Sequence, residues 1–451
     1  MTCSSQCYLS LFLFLLTLFF TLSSSHSTTL PLFTPTKRAT TNTQWQQLRQ
    51  MAIGRSANIS SSTTPLFSNL DGQYIFTLSL GTPTQSLVLS LCTGCVLVSF
   101  PCGYNFSCVN CFIDPKDLLT FKPNQSSTSS PVYCDDQLLH KTISSDFIPV
   151  CTKCSSNNSC FNTLAEYTHP LEGSAGYILS ESLTLPELNH PEPNLLFGCA
   201  SKSDGWPLGI GIAGFGRAPS SLPSQLNLTK FSHCFVSKTL HDGDRNVSGS
   251  LVFTWGEDNE KEDEDCNGNC YTPLIKITNG TWRDSKYFVN VEEIMVGGVK
   301  VEVPTEDLTT TEYGNGGLKV EPGIEATLMD KSVFEPLAKE LEKQVGKKYS
   351  RDTYAENDSM YWPCFYTGES GMNGMPEMAF RFQEGLELVV PVENLFWTYN
   401  ESVICIAIWS QTLKGYSILL GQWMMQNVYV DYDLANNRLG FMPKNCTQVS
   451  N

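Results

Sequence analysis

Apolar and polar positions alternate over short stretches along most of the chain, and turn residues separate those stretches. Tyr74-Ile-Phe-Thr-Leu-Ser-Leu80 stops at Gly81-Thr-Pro83, and Ser86-Leu-Val-Leu-Ser-Leu91 follows as a second run. Similar runs recur at Leu195–Phe197, Tyr287–Val291, Leu386–Val390, Val403–Ile408 and Val428–Tyr432. Short runs at short intervals predict the strands of an all-β architecture. One stretch departs from this. Ser332–Val345 carries Val333, Phe334, Leu337, Leu341 and Val345 near a 3.6-residue period, with charges between, and predicts a helix.

The first residues follow a different pattern. Tyr8 to Leu22 is almost wholly apolar and Ser23-Ser-Ser25 follows, so residues 1–25 are expected to be a signal peptide. The usual basic start is missing, since the first Lys or Arg is Lys37. The run falls short of the ~20 apolar residues of a membrane-spanning helix. Residues 26–70 are rich in Ser, Thr and Pro and read as a flexible prosegment or linker, weakly helical over 45–57, with ordered structure expected from Tyr74. Gly256–Cys270 (GEDNEKEDEDCNGNC) is acidic and poor in apolar residues. It lacks the EF-hand pattern and reads as a solvated loop between strand-rich halves at 71–255 and 271–447.

Composition narrows the function. The 451 residues suffice for two or three domains, and the formal charge is −16. Such a chain repels phosphate backbones, so nucleic acid is not an expected partner. Ten N-glycosylation sequons occur, at Asn58, Asn105, Asn124, Asn157, Asn227, Asn246, Asn279, Asn357, Asn400 and Asn445. Of eighteen cysteines, Cys3 and Cys7 would leave with the signal, and the even remainder suits disulfides in an oxidising compartment. A secreted, extracellular glycoprotein is expected, with no membrane contact after signal removal.

Several segments, taken in order, resemble the plant nepenthesin-type branch of the pepsin (A1) family, which also holds the xylanase-inhibitor-like proteins. They are Tyr74–Pro83, Phe197-Gly-Cys199, Gly211-Ile-Ala-Gly-Phe-Gly-Arg217, Ser220–Leu226, Phe231–Cys234, Tyr287–Val291 with Val296-Gly-Gly298, Ile418–Gly421, Asn427–Asp433 and Asn437–Phe441. The resemblance covers about Leu70 to Cys446. It implies a mainly β, bilobal pepsin-like double barrel with a central cleft, in a monomer of the apoplast or cell wall, or of the vacuole.

Active members of that family carry Asp-Thr-Gly or Asp-Ser-Gly in each lobe, and the two carboxylates share a proton and activate a water. After the first strand pair this chain has Cys92-Thr-Gly-Cys95, with Cys92 at the aspartate position. In the second lobe a gap-free register puts Glu321-Pro-Gly-Ile324 there, and Asp330 is the alternative. Either way the acid pair is broken. A thiol has a reference pKa of about 8.5, against about 4 for Asp. Glu321 is a methylene too long, and Pro322 lacks a backbone donor. Losing one acid–base partner alone removes roughly 10²–10⁴-fold in rate.

The family's flap tyrosine corresponds to Tyr167, although Thr-His-Pro-Leu-Glu-Gly-Ser174 follows it in place of Gly-Asp-Gly-Ser. An ordinary buried or edge tyrosine is the other reading. Cys92-Thr-Gly-Cys95 is formally a C-x-x-C motif, but without a following helix it reads as a local disulfide, or as two cysteines bonded elsewhere, rather than a redox centre. Cys108-Val-Asn-Cys111 and Cys151-Thr-Lys-Cys154 read as disulfide cysteines rather than zinc ligands. The six histidines lack metal spacing, so neither metal nor cofactor is expected. The sequence therefore points to a binding or inhibitor-like protein. A protein or peptide would occupy the cleft, the resemblance suggesting a secreted glycoside hydrolase, and an endopeptidase with residual activity is the rival reading.

Overall fold

The computed structural model describes residues 61–68, 74–103, 105–109, 119–144, 148–152, 163–169, 173–185, 192–204, 211–237, 247–256, 270–278 and 282–449. The signal segment, the weak helix at 45–57 and nearly all of the acidic loop lie outside them.

The expected strands form where alternation placed them: Tyr74–Leu80, Gln85–Cys92, Val403–Ile406 and Val428–Asp433. The helix spans Lys331–Val345 and buries Val333, Phe334, Leu337, Ala338, Leu341 and Val345. One expectation needs correction. Ser61–Ser68, read as flexible, is a strand paired antiparallel with Val247–Thr254 and, at its end, with Tyr74–Leu80. Its Ser and Thr residues carry no amphipathic signal, so the hydrogen-bonding edge of a distant strand decides its structure.

An antiparallel sheet runs in the order Tyr271–Pro273, Arg438–Pro443, Val428–Asp433, Lys230–Cys234, Val247–Thr254, Ser61–Ser68. It draws strands from both halves of the sequence and so joins them. Packed aromatics line the join, one pair stacked and two edge-to-face. Phe231 lies 4.3 Å from Tyr432, Tyr432 lies 4.8 Å from Tyr287, and Phe231 lies 5.1 Å from Phe215. All four rings are buried.

The two halves repeat one construction. In the first, Gly211–Gly214 runs parallel to Gln85–Cys92, with Gly214 opposite Cys92, and antiparallel to Ser99–Pro101, with Ile212 opposite Ser99. In the second, Ile418–Leu420 runs parallel to Leu318–Val320, with Leu420 opposite Val320, and antiparallel to Thr327–Met329, with Leu419 opposite Leu328. Ala213 and Leu420 are thus equivalents, as are Leu91 and Val320, and Ser99 and Leu328. The residue after the approach strand is Cys92 in one half and Glu321 in the other, each seven positions before its Ser99 or Leu328. In this register Asp330 matches Pro101.

Candidate functional site

The Cys92–Cys95 and Glu321–Ile324 loops meet where the halves face each other. Each is held by the strand that crosses behind it: Phe215 N–H donates to the Cys92 carbonyl at 2.8 Å and Gly216 N–H to the Cys95 carbonyl at 2.8 Å, while Glu321 N–H donates to Leu420 at 3.0 Å. Glycine is required behind the first loop, because a Cβ on Gly214 would lie 2.5 Å from the backbone of Leu97. Gly421 plays the same part behind the second, where a Cβ would lie 2.4 Å from the Ala326 carbonyl oxygen.

Across the gap, Thr93 Oγ1 donates to the Val320 carbonyl at 2.9 Å, with Glu321 Oε1 3.4 Å away. The clasp is one-sided, since Pro322 stands where the second half would supply its own hydroxyl. Lys286 supplies a different tie, donating from Nζ to the Gly94 carbonyl.

Cys92 and Cys95 are joined to each other, with Cα atoms 5.4 Å apart. Cys92 is half-buried and Cys95 buried. A bonded sulfur does not titrate, so it neither holds nor accepts a proton. Glu321 is buried, 3% exposed. Its Oε2 pairs with Lys319 Nζ at 3.1 Å, and its Oε1 accepts from Gly323 N–H at 3.2 Å. A Cβ on Gly94 would fall 1.9 Å from Oε2 and 3.2 Å from Lys319 Nζ, so the ion pair lies against the first loop. Burial, the Tyr287 phenol and the Glu321 carboxylate all push the Tyr432 phenol pKa upward.

Asp330 stands elsewhere and does other work. It is the N-cap of Lys331–Val345, accepting from Ser332 N–H at 3.4 Å and from Leu413 N–H at 3.1 Å. Tyr167 lies on the strand Glu166–His169, opposite Gly176 of Ser174–Thr184. It is 2% exposed and packs among Val96, Leu97, Ile178 and Leu196. A Cβ on Gly198 would lie 2.9 Å from its phenol oxygen, so the ring reaches the strand Glu192–Asp204, which pairs with Ser99–Pro101.

A family model described as Xylanase inhibitor N-terminal matches residues 74–253, and one described as Xylanase inhibitor C-terminal matches residues 286–443. Aspartic proteinase nepenthesin-2 of Nepenthes gracilis is 27% identical over 86% of this chain and 81% of its own. Aspartic proteinase nepenthesin-1 of the same plant is 29% identical over 83% and 78%. The chain belongs to the nepenthesin-type, xylanase-inhibitor-like branch of the pepsin family. Solved structures agree on the fold. Basic 7S globulin from soybean superposes with a TM-score of 0.66 at 18% identity, covering 87% of this chain and all of that one. Conglutin gamma from lupine seeds gives 0.63 at 18%, covering 86% and 96%.

Where the two loops meet stand a disulfide, one carboxylate and two lysines. Sequence reading passed over Lys319 and Lys286. Lys319 had a usable signal, because residues two apart on a strand share a face and Glu321 follows it by two. Lys286 had none, since the turn at Trp282–Ser285 and the opposing loop together bring it to Gly94.

Proposed function

We propose that this protein is a secreted, glycosylated pepsin-fold protein that does not cleave peptides and instead binds a protein or peptide partner through its cleft or a surface loop. The observation that carries the reading is the Cys92–Cys95 disulfide at the position where the fold's chemistry needs a carboxylic acid. Peptide hydrolysis in this fold uses one carboxylate as base while its partner holds the proton. Here the single carboxylate, Glu321, faces a group with no proton to share and is already paired with Lys319. The family description supports a secreted glycoside hydrolase as the partner class. Among the described residues no helix is long and apolar enough to cross a membrane.

The rival is an aspartic-type endopeptidase working through an unconventional arrangement, supported by the relatives named aspartic proteinases and by the retained Glu321. Site restoration separates the two. Cys92→Asp, Cys95→Ser, Glu321→Asp and Pro322→Ser are made together, with and without Lys319→Leu, and cleavage of denatured protein is assayed at acidic pH. The proposal predicts activity gained over an inactive parent, more so with Lys319 removed. A rescue obtained only in designs built on Asp330 would contradict the assignment of Glu321. Capture of secreted glycosidases by the immobilised parent, lost when they are pre-bound by substrate, tests the partner class.

A further inference from the structure

The four-residue loop that replaces the first acid motif has chemistry of its own. Among the described residues, the other disulfides join cysteines 97, 17, 212 and 41 positions apart: Cys102–Cys199, Cys134–Cys151, Cys234–Cys446 and Cys364–Cys405. Each closes a long loop and so constrains the unfolded chain substantially. Cys92–Cys95 spans three positions and constrains it least. The loop is also held by contacts other than the bridge. Its backbone is tied by Phe215 N–H, Gly216 N–H, the Lys286 ammonium and the Thr93 hydroxyl reaching Val320. None of these contacts is made through the S–S bond.

Cys92 is also partly exposed, as is Cys151 of the Cys134–Cys151 bridge, whereas Cys102, Cys199, Cys234, Cys446, Cys364 and Cys405 are all buried. Two ammonium groups and one carboxylate lie against Gly94, the residue next to Cys95: Lys286 on its carbonyl, and the Lys319–Glu321 pair, with Nζ 3.2 Å and Oε2 1.9 Å from where its Cβ would be, so these three groups together carry one excess positive charge. Nearby cations lower a thiol's pKa and favour the thiolate that disulfide exchange requires.

We propose that Cys92–Cys95 is a reversible thiol–disulfide centre at the floor of the cleft, reduced in the folded protein by a dithiol and re-formed by a disulfide oxidant. A reductant thiolate attacks the sulfur of the partly exposed Cys92, the S–S bond breaks and Cys95 leaves as thiolate. The reductant's second thiolate then displaces Cys92 from the mixed disulfide. Two electrons pass to the protein and the reductant departs as its own cyclic disulfide. The inference holds whether or not the cleft cleaves peptides.

The test is graded reduction of the native full-length secreted protein with dithiothreitol, trapping with iodoacetamide, and peptide mass spectrometry, alongside near-ultraviolet circular dichroism. The expected result is labelling of Cys92 and Cys95 at dithiothreitol concentrations about tenfold or more below those that label Cys234, Cys446, Cys364 and Cys405, with the spectrum unchanged. Glutathione disulfide should then restore the bridge. The trapping rate should follow an apparent pKa below the ~8.5 of a free thiol. Labelling that appears only as the native spectrum collapses, or failure of the bridge to re-form, overturns the proposal. So does an apparent pKa of 8.5 or higher. A Cys92→Ser, Cys95→Ser variant should keep the native spectrum and lose the low-concentration labelling; its unfolding would make the bridge structural and equally overturn the proposal.

Discussion

Lys319 and Glu321 put two opposite charges two residues apart in a buried position, with side-chain exposures of 11% and 4%. A buried pair of this kind adds little over an apolar pair of similar shape, but removing one member leaves the other charged and desolvated. Glu321→Gln should therefore destabilise the fold by about 3–5 kcal/mol in urea unfolding at neutral pH. Glu321→Leu combined with Lys319→Met should recover most of that loss, and an equally unstable double variant would show that the pair is not the cause. His233 gives a pH signature. It is fully buried, stacks on Phe235 at 4.2 Å, and burial pushes its pKa down to about 3. The unfolded chain binds this proton near pH 6.5, so its contribution to stability is complete above that pH and is lost as pH falls toward 3. The slope should be about 1.4 kcal/mol per pH unit. Urea unfolding at a series of pH values should show a flatter profile in His233→Phe than in the parent between pH 6 and 3, and identical slopes would refute the role given to His233.

At the scale of elements, the helix Lys331–Val345 depends on the cap that Asp330 provides, since the side chain satisfies one helix N–H and also the N–H of Leu413. Asp330→Ala should cost about 1–2 kcal/mol, read as a lowered denaturation midpoint. A catalytic role would instead leave stability unchanged. The helix Lys331–Val345 and several of the strands were legible because their burial is encoded locally, by period 3.6 in Val333–Val345 and by alternation in Tyr74–Leu80. Placing Glu321 ahead of Asp330 rested on the gap-free register, and the repeated strand pairing makes Glu321 the equivalent of Cys92. Ser61–Ser68 was illegible because its pairing depends on Val247–Thr254, far along the chain. Lys286 was illegible for the same kind of reason, its partner being the Gly94 carbonyl.

For the whole molecule, the sheet shared by both halves is the mechanical centre, and Cys234–Cys446 ties the end of the chain to it across 212 positions. Replacing both cysteines by Ala should cost about 2–5 kcal/mol and lower the melting temperature, far more than loss of Cys92–Cys95. The bilobal fold was legible from an ordered set of family segments, whereas the meeting of two loops from opposite halves is a property of the folded chain alone. That meeting carries the central claim. The most direct measurement is cleavage of a denatured protein substrate by the purified chain across acidic pH, with and without a pepsin-family inhibitor. The account predicts no inhibitor-sensitive turnover at any pH; inhibitor-sensitive turnover by the unaltered chain would contradict it.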